Sequence, residues 1–232
     1  MKMVIAGLQS LSLVDFPGHL ASAVFTQGCN FKCPYCHNPD LIGIGGKTGL
    51  SEKNILEQIK SRGKMIEGVV ITGGEPTIHD GLLNFARRVK QEDLKVKLDT
   101  NGTRPDRLKE LLDSGAIDCV ALDIKTVFSR YALVTDDAEH AGAVLESARI
   151  LMSARVPYEF RTTCVPGIVG EEDFRAIGAA LQGAEKYCLQ QFRAAGVKNE
   201  KFRNTSPYTK DDILSFQRIL EEHVKKVETR GV

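Results

Sequence analysis

No stretch of this sequence approaches the roughly 20 consecutive apolar residues that a membrane-spanning helix needs, which argues against an integral membrane protein. Net charge is nearly absent as well: 31 lysines and arginines against 30 acidic residues leave +1 at pH 7. A chain so balanced offers no broad field to nucleic acid, an anionic membrane or an acidic partner, so nucleic-acid binding is not expected. Residues 1–9 hold one lysine and a short apolar stretch, without the long apolar region and small-residue cleavage site of a signal peptide. Internal repeats, low-complexity tracts and linkers are missing too. The expectation is a cytoplasmic protein whose 232 residues, 42% of them hydrophobic, build a single domain spanning 1–232.

After Gly18, short apolar runs alternate with longer segments of helical period, the pattern of repeated β/α units and a mainly parallel sheet. Six strands are expected, at 22–27, 68–72, 94–99, 118–123, 157–164 and 186–192. Between them, apolar residues recur at one-sided helical spacing: Ile55, Leu56 and Ile59; Leu82, Leu83, Phe85, Ala86 and Val89; Leu108, Leu111 and Leu112; Val144, Leu145, Ala148 and Leu151. Pro105 suits a first helical turn, and Glu171, Glu172 and Asp173 place negative charge at another helix start. A last helix over 210–227 would present Ile213, Phe216, Leu220 and Val224.

In a parallel α/β sheet or barrel, the C-terminal strand ends and the loops after them build the site. Here those ends read Gly28-Cys29, Gly73-Gly74-Glu75-Pro76, Asp99-Thr100-Asn101-Gly102, Asp123-Ile124-Lys125, Cys164-Val165-Pro166-Gly167 and Gln190-Gln191-Phe192-Arg193. All six expected strands therefore point polar or turn residues at one rim.

Three of the six cysteines, Cys29, Cys33 and Cys36, fall within eight residues directly after a strand. Their thiolates can each take one iron of a cubane cluster. A fully ligated electron-transfer cluster normally uses four cysteines, so three leave one iron open to a substrate. Structural zinc on the three cysteines plus His37 is an alternative, although adjacent Cys36 and His37 point apart on an ordinary backbone. Cys33-Pro-Tyr-Cys36-His37 also fits c-type haem attachment, but that reading leaves Cys29 idle and wants an exported protein. A disulfide is disfavoured by a reducing compartment and by the odd count. Cys119, Cys164 and Cys188 stand alone in apolar strands and read as buried core thiols.

The Cys-x-x-x-Cys-x-x-Cys loop followed by Gly73-Gly74-Glu75-Pro76 after the next strand resembles the radical S-adenosylmethionine (SAM) superfamily. The flanks Ser12-Leu-Val-Asp-Phe-Pro-Gly18, Gln27-Gly-Cys29 and Cys33-Pro-Tyr-Cys-His-Asn-Pro39 look like the activating enzymes of glycyl radical enzymes. Within that group the sequence is most similar to activating proteins of anaerobic ribonucleoside-triphosphate reductase, with pyruvate formate-lyase activating enzyme the close relative to be told from it.

The resemblance implies a partial (β/α)6 barrel, one [4Fe–4S] cluster on Cys29, Cys33 and Cys36, and SAM bound at the open iron. An electron from flavodoxin or ferredoxin would then cleave SAM to methionine and a 5′-deoxyadenosyl radical, which abstracts hydrogen from a glycine of the partner enzyme. The cysteines thus serve as metal ligands and catalytic residues together. The same resemblance puts the methionyl end of SAM against the Gly73-Gly74 backbone, its ammonium near Glu75 and its carboxylate near Lys125. Asp99 would hold the ribose or the ammonium, and Tyr35 would pack against the adenine.

Other positions stay open. Asp99, Thr100 and Asp123 could hold a small cation or merely cap helices. Arg161, inside a strand, needs SAM, a peptide or a salt bridge as partner. Asp15 matches an acidic position near the partner's glycine loop in the relatives, or closes a turn. Two departures stand out: no histidine follows Gln190-Gln191-Phe192-Arg193, and no cysteine lies between Cys36 and Gly73, which implies a single cluster.

Overall fold

A computed structural model describes residues 3–43 and 50–232; the first two residues of the N-terminal stretch read above lie outside them. The elements run β1 (Ile5–Ser12), β2 (Ala21–Thr26), α1 (Glu52–Lys60), β3 (Gly68–Gly73), α2 (Leu82–Lys90), β4 (Lys95–Thr100), α3 (Pro105–Asp113), β5 (Cys119–Asp123) and α4 (His140–Ser153). They continue β6 (Tyr158–Cys164), α5 (Glu171–Ala180), β7 (Tyr187–Gln191), α6 (Glu200–Arg203), α7 (Lys210–Glu221) and β8 (Val227–Arg230). Eight strands form one sheet in chain order from β1 to β8. β1 is antiparallel to β2, and every other neighbouring pair is parallel. Among the described residues β1 and β8 do not pair, so the sheet is an open, partial barrel.

The two faces of the sheet differ because side chains alternate along a strand. Val96, Leu98, Val120, Leu122, Phe160 and Leu189 face outward and join Phe85, Val89, Leu108, Leu111, Val144 and Phe174 of the covering helices in one buried cluster. The intervening positions Lys97, Asp99, Asp123, Glu159 and Arg161 lie on the inner face. A parallel sheet covered on both faces reads as continuous apolar runs, so this polar alternation marks a face that serves a site. Lower on the inner face, Phe16, Ala21, Ala23 and Val70 form a small apolar cluster of their own.

Helix starts follow the sequence signals. Pro105 begins α3, and the acidic run Glu171, Glu172, Asp173 occupies the first turn of α5. Thr209 caps α7 by accepting the Asp212 N–H, while the Asp212 carboxylate accepts the Thr209 N–H at 2.8 Å, a capping box.

All six expected strands are present, flanked by two that the sequence reading omitted. β1 escapes notice because Gly7, Gln9, Ser10 and Ser12 dilute its apolar alternation. β8 is four residues long and buries only Val227. The last helix accordingly ends at Glu221, not near 227, because the chain must turn at His223 and Val224 for Val227 to pair with Tyr187.

Candidate active site

The cysteine loop is fixed where β2 ends. Gly28 has a positive φ of 94°, which turns the chain out of the sheet. Its N–H donates to the Leu41 carbonyl at 2.7 Å, and the Cys29 N–H to that of Ile42 at 3.1 Å. The next strand grips the same turn: Gly74 N–H donates to Thr26 at 2.9 Å and Glu75 N–H to Gly28 at 2.8 Å. A Cβ on Gly74 would stand 1.9 Å from the Gly28 carbonyl oxygen and 2.6 Å from its carbon. The two motifs therefore touch through backbone alone, and glycine is required. Gly74→Ala is expected to cost about 3 kcal/mol of stability through overpacking, whereas Gly142→Ala on the open side of α4 should gain about 0.5–1 kcal/mol. Urea titration of the two variants checks the contrast.

A cavity of about 210 Å³ opens at this rim, walled by Cys29, Cys33 and Cys36 on one side and Gly73 and Gly74 on another, with Asp99 and Lys125 also reaching it. Tyr35 lines it too, but its ring is buried. The Tyr35 hydroxyl donates to the Lys125 carbonyl at 3.2 Å and so ties the cysteine loop to the end of β5.

Glu75 borders the cavity, yet its carboxylate is engaged by the protein. Oε1 accepts from the Thr77 N–H at 3.0 Å, the Thr77 hydroxyl at 2.5 Å and the Thr100 hydroxyl at 2.7 Å, and Oε2 accepts from the Asn101 N–H at 2.7 Å. Burial lifts its pKa above the usual carboxylate range despite these donors. Glu75 thus joins the β3 and β4 loops. Glu75→Gln turns one acceptor into an NH2 facing N–H and O–H donors. It is expected to lower stability by about 1–3 kcal/mol, read as a fall in thermal midpoint.

A second latch holds the cysteine loop to β4. Asn101 donates to the Asn30 amide oxygen at 2.8 Å, Asn30 donates to the Thr103 hydroxyl at 2.7 Å, and that hydroxyl donates back to the Asn101 amide oxygen at 2.8 Å. Asn30 and Thr103 carry no motif, and the sequence reading passed over both.

Below the rim, five charges chain across the inner face. Lys97 pairs with Asp99, Arg161 Nη1 reaches Asp99 at 3.0 Å and Arg161 Nε reaches Asp123 at 2.8 Å; Lys125 then meets Asp123 at 2.9 Å. Desolvation pushes both carboxylates up, but Arg161 beside each, with Lys97 and Lys125, holds them below the usual range. Arg161 is thereby placed in a double salt bridge. Asp99 is thus paired with Lys97 and Arg161, and Asp123 with Arg161 and Lys125, so both carboxylates have protein cations as partners. Lys97, the innermost cation, was missed. Its signal was strict alternation in β4, with Lys95, Lys97 and Asp99 interleaved with Val96 and Leu98.

Asp15 sits at the opposite end of the sheet, since Ser12 pairs with Ala21, the first residue of β2. It closes a turn in which the Ser12 hydroxyl donates to its carboxylate at 2.5 Å and accepts the Asp15 N–H at 3.1 Å.

The cysteines suit a cluster. None is in a disulfide, all three are half-buried, and the Phe31 N–H donates to Cys29 Sγ at 3.4 Å, a bond that iron-bound thiolates favour. Desolvation, against that N–H, pushes the Cys29 thiol up to about 11; burial, against Lys125, pushes Cys33 up to about 12. Burial thus favours the protonated thiols of Cys29 and Cys33, and metal binding there would displace those protons. His37, next to Cys36, is exposed, and its Nε2 donates to the Arg193 carbonyl at 2.7 Å.

Residues 23–177 match the Radical SAM superfamily. The chain belongs to this superfamily. It is a radical SAM enzyme, and its cofactors are a [4Fe–4S] cluster and SAM. It is 31% identical to a protein of Methanocaldococcus jannaschii described as a glycyl-radical enzyme activating enzyme, over 100% of this chain and 98% of that one. A pyruvate formate-lyase-activating enzyme of Clostridium pasteurianum is 32% identical over 53% of this chain and 52% of its own. Among solved structures, SuiB of Streptococcus suis bound to S-adenosylmethionine superposes with a TM-score of 0.66 at 16% identity, covering 88% of this chain and 48% of that one. TYW1 with a lysine-pyruvate adduct gives 0.63 at 16% identity, covering 87% and 73%. These structural likenesses establish the fold of the radical SAM enzyme. No helix among the described residues is long and apolar enough to cross a membrane.

Proposed function

We propose that this enzyme activates anaerobic ribonucleoside-triphosphate reductase by installing a glycyl radical on it. The observation that carries the reading is the likeness to the M. jannaschii protein across nearly the full length of both chains. The flanks Ser12 to Gly18, Gln27 to Cys29 and Cys33-Pro-Tyr-Cys-His-Asn-Pro39 support a glycyl-radical activating enzyme, and the greater similarity, within that group, to the activating proteins of anaerobic ribonucleoside-triphosphate reductase favours the reductase as target.

Cys29, Cys33 and Cys36 would hold three irons, leaving one corner for SAM. A cluster held there would pass on an electron from an external donor and so provide for reductive cleavage of SAM to methionine and a 5′-deoxyadenosyl radical. The Gly73-Gly74 turn, bare of side chains, lets the amino-acid end of SAM lie close to backbone, and Lys125 neutralises its carboxylate. Glu75 acts as a positioning residue there, holding the turn through Thr77 and Asn101. Asp99, kept anionic by Arg161 and Lys97, is available to a ribose hydroxyl, and Tyr35 stiffens the adenine side of the loop. A flavodoxin or ferredoxin would serve as electron donor in the cytoplasm.

The Clostridium likeness favours a second reading, pyruvate formate-lyase as target. Anaerobic incubation of the reconstituted enzyme with SAM, dithionite and each candidate partner separates the two. An electron paramagnetic resonance doublet is expected on the reductase. A doublet on the lyase alone, or on neither while SAM is cleaved, contradicts the proposal.

A further inference from the structure

The segment after β7 is laid against the outer side of the cysteine loop. Three buried side chains anchor it, Phe192, Val197 and Phe202. Phe202 meets the Tyr35 ring edge-on with centroids 6.2 Å apart, the Arg193 carbonyl accepts from His37, and Lys198 pairs with Asp40. Between Arg193 and Arg203 the chain carries four cations and one carboxylate, in a protein whose net charge is +1. Arg193, Lys201 and Arg203 are exposed and form no ion pair with another described residue. Most other surface lysines near acidic residues here are paired, as Lys32 is with Asp136 and Lys60 with Glu92.

From this we infer that the basic strap is the docking surface for an acidic one-electron carrier protein. The inference rests on the cluster assignment above. Reductive cleavage requires one electron from outside; the carrier is oxidised by one electron, the cluster is reduced by one, and no proton or atom is exchanged. Electron transfer weakens steeply with distance, so a carrier must sit close to the cysteine loop. The strap touches that loop directly, through Phe202 against Tyr35 and the Arg193 carbonyl against His37. A glycine substrate, by contrast, must enter the cavity, and none of Arg193, Lys201 and Arg203 lines it. The sign of the partner follows from charge complementarity: unpaired cations steer an anionic surface and raise its association rate, an effect that salt screens.

The test uses reconstituted holoenzyme and, as probe, a flavodoxin of strongly negative net charge. The dissociation constant is measured by fluorescence anisotropy for wild type and for the triple variant R193E/K201E/R203E, with R193Q/K201Q/R203Q as a milder second set. Reversal is expected to weaken binding at least about tenfold and neutralisation by less, while the salt dependence of the wild type is lost. Cluster reduction by the reduced flavodoxin should slow in step, and reduction by dithionite should stay within about twofold, because a small anion needs no docking surface. Unchanged flavodoxin binding overturns the inference, as does a loss confined to binding of the glycyl radical enzyme. Failure of dithionite to drive SAM cleavage would instead strike the functional proposal, leaving the binding result to stand by itself.

Discussion

Anaerobically reconstituted protein carrying Cys29→Ala, Cys33→Ala or Cys36→Ala is expected to form no 5′-deoxyadenosine above an enzyme-free control. The loop offers three thiols to a four-cornered cluster, and the reaction needs the fourth corner free. Removal of one thiol leaves two protein ligands and no reserve. Cys119, Cys164 and Cys188 lie in β5, β6 and β7, and the last two are fully buried, so none can substitute. Cys119→Ala supplies the control and should keep wild-type iron content and cleavage, since Cys119 packs with the small apolar cluster of Ala21, Ala23 and Val70 away from the loop. Iron and sulfide content, visible absorbance and product chromatography together read the outcome. Wild-type turnover in any loop variant would remove that cysteine from the ligand set.

The largest loss of stability is expected from Arg161→Met. Among the described residues its guanidinium is the only cation shared by Asp99 and Asp123, and all three side chains are mostly shielded from water. Methionine keeps much of the volume but leaves two carboxylates with Lys97 and Lys125 alone. Breaking one partner of a buried ion pair typically costs about 3–5 kcal/mol. The sign of the pH effect follows from the depressed folded-state pKa values of Asp99 and Asp123. Their stabilising contribution is complete above the unfolded carboxylate pKa of about 3.9 and is lost as pH falls through the folded values. The wild-type advantage over Arg161→Met should thus be full at neutral pH and shrink below about pH 4, as measured by urea unfolding across that range. A constant gap at all pH values would assign the loss to packing instead of charge.

The outer face of the barrel was legible in the sequence because the covering helices repeat their apolar residues at one-sided spacing and the strands carry apolar residues such as Val96, Leu98, Val120, Leu122 and Phe160 at alternate positions. The rim was legible for a chemical reason: thiols, paired glycines and strand-end carboxylates have few alternative uses at such positions. What the sequence concealed depends on pairing. Lys97 looks like an ordinary surface lysine until Asp99 and Arg161 are placed beside it. Glu75, read as a ligand to the SAM ammonium, carries four hydrogen bonds from a turn and a neighbouring strand end, contacts fixed only once β3 and β4 align. Asn30 and Thr103 lie 73 residues apart and meet through side chains alone. β8 is too short and too charged to announce itself, and it is held because Arg230 finds Glu159 across the intervening β7 at 2.6 Å while Val227 pairs with Tyr187.

The central claim is a three-thiolate cluster whose free corner takes SAM. It is tested most directly by reconstituting the protein with iron and sulfide in the absence of air, adding SAM and dithionite, and assaying for 5′-deoxyadenosine. The expected result is a brown protein with iron and sulfide equivalent to one cubane, forming 5′-deoxyadenosine only when both are added. A colourless protein holding a single zinc ion, with SAM recovered intact, would contradict it.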